Sequence, residues 1–183
     1  MRQWVETILD YDYRISQSLR LKTDPGVIYK MASIFAHSGD SWFWLVGLIC
    51  IWLFGNSEWR YKAAVLATSL VVLAVFVLLL KFTIRRRRPE GDWGAIYRKT
   101  DPHSFPSGHA ARAALLAVMA IGLGPAWFGW LVGIWAPFVS LARIVMGVHY
   151  VSDVVAGFII GMIVGWIMLD LQGIIYMAAP FLF

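Results

Sequence analysis

From Ala63 to Leu80, between Lys62 and Lys81, the chain carries no charged residue. An α-helix needs about 20 apolar residues to cross the ~30 Å hydrocarbon core of a bilayer, and this run fits that requirement. In lipid every backbone polar group must be satisfied inside the segment, so such a run specifies a helix. The feature recurs along the chain. Trp42–Phe54 is strongly apolar, and Ala113–Ala142 is uncharged and too long for one span. Gly124-Pro125 divides that second run in two. Val154–Leu169 forms the next span, with Gly157, Gly161 and Gly165 at the spacing that lets membrane helices approach closely. These segments give five spans, and the apolar tail at 172–183 offers a sixth. The alternating segments of a transmembrane β-barrel do not occur. The expected fold is all-α: an integral membrane helical bundle of five to six transmembrane helices, forming a single domain over residues 1–183. The bundle proper is expected at 40–171, preceded by amphipathic or interfacial helices at 1–36.

Composition agrees. The 183 residues are 60% hydrophobic and 15% charged, against roughly 45–50% and 25% in soluble domains. Ten Trp, seven Tyr and eleven Phe suit membrane interfaces. The formal net charge of +5 is compatible with nucleic acid or anionic lipid. The length of the apolar runs selects lipid, so the expected partners are the bilayer and a membrane lipid, and not nucleic acid. A single cysteine, Cys50, excludes an intrachain disulfide. Residues 1–22 contain Glu6, Asp10 and Asp12 and no continuous apolar core, so they do not read as a signal peptide. They read as an amphipathic helix. Trp4, Ile8, Tyr11, Ile15 and Leu19 share one face, and Arg2, Glu6, Asp10, Arg14 and Gln17 the other. Such a helix lies in the membrane interface or packs on a neighbour. A second helix is expected from Asp24-Pro25 to about Ala36, before the polar island at 37–41.

Charged residues beside membrane spans are costly and tend to be functional. Here they form three groups. Lys81 and Arg85-Arg86-Arg87-Arg88-Pro89 follow the second span. If the helix continues to Arg88, Lys81 and Arg88 lie on one face and clamp an anion; the alternative is a basic run gripping lipid headgroups. Ser104 to His109 precede the third span. Pro106 suits a first helical turn, and the amides of Ser107 and Gly108 then form a phosphate cradle with His109 at its mouth. The alternative is an ordinary N-cap. Arg143 ends the fourth span, Gly147 allows a tight turn, and His149 and Asp153 lie four apart at the start of the fifth. A carboxylate against one imidazole nitrogen fixes the tautomer and prepares the other as a nucleophile. The alternative is a capping pair. The connections at 82–106 and 144–150 fall on the same side of alternating spans, so all three groups converge on one site.

The pattern resembles the type-2 phosphatidic acid phosphatase superfamily. Its motifs are Lys, six residues, Arg-Pro; then Pro-Ser-Gly-His; then Ser-Arg, five residues, His, three residues, Asp. Lys81 to Pro89, residues 106–109, and Arg143, His149 and Asp153 match, with Ala142 in place of the usual Ser. The resemblance implies a metal-independent lipid phosphatase without a cofactor. It implies that His149 is the nucleophile that becomes a phosphohistidine, that Asp153 orients it, and that His109 is the general acid. Lys81, Arg88 and Arg143, with the Ser107 and Gly108 amides, bind the phosphate. Asp153 is the only carboxylate in these motifs, so they supply no two-metal site. The sequence from Pro106 to Arg112 looks like the isoprenoid diphosphate phosphatase branch, with Arg112 contacting the second phosphate of a substrate such as undecaprenyl diphosphate. The alternatives are a glycerophospholipid (phosphatidylglycerophosphate, phosphatidate) or lipid A phosphatase and, in other classes, a vanadium haloperoxidase-like oxidase or a non-enzymatic lipid binder. Relatives of this kind imply a bacterial plasma membrane protein with its active site on the outer face.

Overall fold

Seven helices make up the regular structure of the described residues, which are 2–21, 26–90, 101–178 and 180 of the computed structural model. They are α1 (Arg2–Leu19), α2 (Val27–Ser38), α3 (Ser41–Phe54), α4 (Ser57–Ile84), α5 (Gly108–Leu123), α6 (Ala126–Val145) and α7 (Val151–Ala178). The all-α bundle expected from the apolar runs is present, and each of the five runs is a helix. Their lengths differ from five equal spans. α4, α6 and α7 are each long and apolar enough to cross a membrane. α2 and α3 meet that test together, as one span bent by 50°. α5 has 16 residues, fewer than the ~20 that a full crossing needs.

Three expectations about boundaries change. The proposed helix start at Asp24-Pro25 lies outside the described residues, and the described helix begins at Val27 with Gly26 as N-cap. α2 is a bundle element and not a separate interfacial one. Ala36 packs with Ala142 and Met146 of the α6 end, and Phe35 stacks on Phe138 at 5.2 Å between ring centroids. The tail does not start a sixth span at Gly173, because residues up to Ala178 continue α7.

The centre of the bundle is a seam of small residues. α5 buries Ala110, Ala111, Ala113, Ala114 and Ala117. α7 presents Gly157, Gly161 and Gly165 to it. A Cβ on Gly161 would overlap the carbonyl oxygen of Ala111, one on Gly157 would overlap that of Ser107, and one on Gly165 would lie 2.9 Å from Val118 Cβ. Backbones this close gain dispersion contacts that larger side chains would prevent. The seam also registers the site: at its upper end the Ser107 N–H donates to the Asp153 carbonyl at 2.9 Å. The outward surface has the opposite pattern. Val71, Val75, Leu79, Ile159, Ile163 and Trp166 are all exposed, as suits a protein whose solvent there is lipid.

α1 packs on the bundle, one of the two readings of its amphipathic pattern. Trp4, Ile8, Tyr11 and Ile15 face outward, while Asp12 and Ser16 are buried against the bundle. Ser16 Oγ accepts from the Val151 N–H at 2.9 Å, and Asp12 Oδ1 accepts from the Ser152 N–H at 3.0 Å. A helix leaves its first amides without internal partners. Here α1 caps α7 from a distant part of the chain, with the acidic side chain at the positive end of the helix dipole.

The seam yields a direct test. Gly161→Ala should cost about 1–3 kcal/mol, the range for over-packing a close interface, and lower the thermal midpoint of the detergent-solubilised protein. Gly173→Ala, where a Cβ meets nothing within 4 Å, should leave it unchanged or slightly raised. Equal midpoints for the two variants would show that α5 and α7 have room to separate.

Candidate active site

Lys81 is buried in the last turn of α4. The helix does not continue to Arg88. It ends at Ile84, with Arg85 in the left-handed conformation at φ 52° and its N–H donating to the Lys81 carbonyl at 2.9 Å. Four successive arginines repel one another, and Pro89 disfavours helical geometry at the residue before it. The chain therefore leaves the helix, yet Arg88 still meets Lys81. Both donate to Asp101: Lys81 Nζ to Oδ2, and Arg88 Nη2 to the same oxygen at 2.7 Å. Lys81 also donates to the His103 carbonyl at 3.1 Å, and Arg88 Nε to the Asp101 carbonyl at 2.7 Å.

The Gly147 turn is as expected, with φ 68° in the region that favours glycine. It returns the chain so that the Val148 and His149 N–H groups both donate to the Arg143 carbonyl at 3.2 Å. Arg143 is fully buried, and its Nη1 lies 3.4 Å from the Ala36 carbonyl at the end of α2. His149 is 1% exposed. Its Nε2 lies 3.0 Å from Arg88 Nη1. A guanidinium only donates, so Nε2 presents its lone pair there and the ring proton lies on Nδ1. Nδ1 faces Asp153 Oδ2 at 3.5 Å, longer than a well-formed hydrogen bond. Burial first, then the charges of Arg88, Arg143 and Lys81, hold His149 well below the ordinary histidine value of 6.5. This environment favours the neutral ring.

Asp153 is held on both oxygens. Oδ2 accepts from the Tyr150 N–H at 3.0 Å, and Oδ1 from Arg86 Nη1 at 2.7 Å. Arg86 also donates to Ser152 Oγ at 2.6 Å and to Asp12 Oδ2 at 2.6 Å, and its guanidinium lies 4.0 Å from the Tyr150 ring centroid. In the sequence this arginine reads, with Arg85 and Arg87, as a headgroup-binding cation. The structure makes it the brace of the Asp153 carboxylate.

The second motif is placed one residue differently from expectation. Ser107 is the N-cap of α5, so Pro106 precedes the cap and does not occupy the first turn. Ser107 is fully buried, and its amide is engaged by the Asp153 carbonyl. That amide is therefore turned away from the cradle expected of it, and Gly108 lines the cavity. His109 Nε2 pairs with Asp40 Oδ1 at 2.8 Å. Arg112, one turn further, donates from Nε to the Gly39 carbonyl at 3.1 Å.

These groups line one cavity of about 360 Å³. Lys81, Arg88, Asp101, Gly108, His109, Arg112 and His149 line its polar part, and Leu70, Leu73, Ala74, Val77 and Leu78 of α4 its apolar part. A phosphate held by the cations and an alkyl chain laid along α4 fit this division. Of the residues singled out in the sequence, Lys81, Arg88, Gly108, His109, Arg112 and His149 line the cavity, and Arg143, Asp153 and Ser107 stand behind it. Sequence reasoning missed Asp101, Asp40, Arg86 and Asp12. Asp40 had a signal, since the island at 37–41 interrupts two apolar helices.

The model of the PAP2 superfamily matches residues 62–174, which contain all three motifs. Undecaprenyl-diphosphatase of Sulfolobus acidocaldarius is 28% identical over 138 residues, covering 73% of this chain and 66% of that protein. Decaprenylphosphoryl-5-phosphoribose phosphatase of Mycobacterium tuberculosis is 36% identical over 120 residues, covering 63% of this chain and 62% of that protein. The chain thus spans slightly under two thirds of the length of these two relatives. The crystal structure of the transmembrane PAP2-type phosphatidylglycerolphosphate phosphatase from Bacillus subtilis shares the fold, with a TM-score of 0.74 at 23% identity over 91% of this chain and 87% of that one. With the family match spanning α4 to α7 and the apolar helices facing outward, the chain is an integral membrane protein of the PAP2 superfamily.

Proposed function

We propose that the protein is a metal-independent lipid phosphatase that hydrolyses a polyprenyl diphosphate, of the undecaprenyl type, through a phosphohistidine on His149. The observation that carries this reading is the cavity. A neutral imidazole with its lone pair held by Arg88, a second histidine, and the cations Lys81 and Arg88 meet at the polar end of an apolar groove. In the first step His149 Nε2 bonds to phosphorus while the bond to the leaving oxygen breaks, and His109 delivers a proton to that oxygen. Lys81, Arg88 and the Gly108 amide take the charge on the transferring group, and Arg143 supports it from behind. Asp153 stabilises the Nδ1 proton of His149. Water then attacks phosphorus, gives its proton to His109, and breaks the N–P bond.

The nucleophile is tested by trapping. Acid-quenched wild-type protein given labelled lipid phosphate should carry label, and His149→Ala should carry none and show no turnover while keeping its thermal midpoint. Activity above a few per cent in that variant would remove His149 from this role.

The pH dependence follows from the environment of His149. The attacking form is neutral, and burial with three cations preserves that form below pH 6.5. The acid limb of kcat/KM should therefore fall below 6.5. Arg88→Gln removes the cation 3.0 Å from Nε2, so the limb should move to higher pH in that variant, whatever its overall rate. A limb at the same pH in both proteins contradicts this assignment.

Substrate choice rests on Arg112. It lines the cavity with His109, and on this reading its guanidinium contacts a second phosphate that a monophosphate lipid lacks. Arg112→Ala should lower kcat/KM for a polyprenyl diphosphate about 10- to 100-fold, as for a lost charged hydrogen bond of roughly 1.5–3 kcal/mol. A lipid monophosphate should be affected far less. The same fold-loss for both substrates favours the glycerophospholipid reading suggested by the name of the Bacillus subtilis neighbour.

A further inference from the structure

The bend between α2 and α3 is polar where the helices on either side are apolar. Asp40 is the N-cap residue of α3, yet its side chain makes no capping hydrogen bond to that helix. An aspartate at this position ordinarily accepts from an amide two or three residues on. Asp40 turns instead to α5. Its Oδ1 lies 2.8 Å from His109 Nε2, and its Oδ2 lies 3.2 Å from His37 Nδ1. The bend is fixed from three helices: Arg112 Nε donates to the Gly39 carbonyl at 3.1 Å, Trp135 Nε1 to Ser38 Oγ at 2.9 Å, and Trp44 Nε1 to the Ser38 carbonyl at 3.3 Å. A Cβ on Gly39 would lie 2.8 Å from Val139 Cγ1 and 3.3 Å from His109 Cδ2, so a larger residue would push the bend off the ring.

We propose that Asp40 is the positioning carboxylate of His109, holding the ring at Nε2 so that Nδ1 faces the leaving group and the protonated ring is stabilised. The proposal rests on the phosphatase reading above. In the first half-reaction the N–P bond to His149 forms, the P–O bond breaks, and the proton on His109 Nδ1 moves to the departing oxygen. His109 is then neutral, with its remaining proton on Nε2 directed at Asp40. In the second half-reaction a water oxygen bonds to phosphorus, its proton passes to Nδ1, and the N–P bond breaks. Protonation of the ring is opposed by burial first, then by Arg143 of α6 and Arg112 on its own helix, and Lys81 and Arg88 line the same cavity. His149 and Asp101 share that cavity. Asp40, backed by His37, brings negative charge into direct hydrogen-bond contact with His109 and recovers part of what burial and the cations take from the protonated ring.

The experiment compares leaving groups in purified, full-length protein. An alkyl phosphate releases an alcohol that needs a proton, whereas 4-nitrophenyl phosphate releases a phenolate that does not. kcat/KM isolates the first half-reaction. Asp40→Asn should lower it at least about tenfold for the alkyl phosphate and only marginally for the aryl phosphate, with the basic limb of the alkyl profile moved to lower pH. His109→Gln should show the same selectivity, and Asp40→Asn should add nothing on that background. His37→Gln, which loosens Asp40 without removing it, should give a smaller loss in the same sense and guards against misfolding of the aspartate variant. Equal losses on both substrates, or additive losses with His109→Gln, would overturn the role of Asp40. Absence of phosphate release from either substrate by the wild-type protein would overturn the phosphatase reading itself.

Discussion

Three cations are buried in a bundle built mostly from apolar side chains, and their compensation organises the site. Arg143 is fully buried, with Lys81 and Arg88 nearly so. Removing a cation from water costs several kcal/mol unless partners replace the solvent. Carbonyl oxygens supply part of that replacement: Ala36 for Arg143, His103 for Lys81, Val148 and Asp101 for Arg88. The Ala36 carbonyl lies near the C-terminal end of α2, the negative end of its dipole. Among the described residues, Asp101 serves both Lys81 and Arg88 with one carboxylate oxygen. On the proposed reading a phosphate suits this end of the cavity, because its several oxygens can meet several donors at once.

The two histidines are supported by different parts of the chain. His149 sits at the start of α7, where Asp153 is braced by Arg86, and Arg86 by Asp12 of α1. The N-terminal helix thus reaches the carboxylate beside His149 through two ion pairs while its aromatic face points outward. His109 begins α5 and is met by the bend between α2 and α3. The seam between α5 and α7 holds the two histidine-bearing helix ends in register, because Ser107 and Asp153 are bonded to each other through their backbones. Widening that seam would separate the two histidines as well as weaken the bundle.

The bundle, the turn at Gly147 and the convergence of three polar groups were legible because each rests on a local rule. A long uncharged run must be helical in lipid, a positive φ favours glycine, and connections between alternating spans share a membrane side. The remaining site residues were not legible because they depend on which polar side chains meet across large sequence separations. Arg86 and Arg88 stand in the same run of four arginines, and nothing in their spacing says that one braces Asp153 while the other faces His149. Asp12 lies on α1 among other acidic residues, and only the docking of α1 on α7 distinguishes it from exposed Asp10. The helix end at Ile84 was missed because the continuation to Arg88 was judged by face alone, against the local preference set by Pro89. Asp40 was the recoverable case: a carboxylate interrupting apolar helices carries the same cost as the charges that did attract attention.

The depth of the cavity completes the argument about substrate class. The apolar wall runs from Leu70 to Leu78 on α4, directly below Lys81. At 1.5 Å per residue, the distance from Leu70 to Lys81 along the helix is about 16 Å, roughly half of a ~30 Å hydrocarbon core. On the proposed reading, a lipid with its phosphate against Lys81 and Arg88 would keep its chain at the depth it already occupies in the leaflet. It would enter sideways without being lifted from the membrane, so little apolar surface would be exposed to water on binding. The phosphorus then lies at the level of both histidines. A soluble phosphate ester gains the same charge contacts and none of this apolar contact. On that reading, the amphipathic cavity would favour lipid by the same hydrophobic term that holds the protein in the membrane.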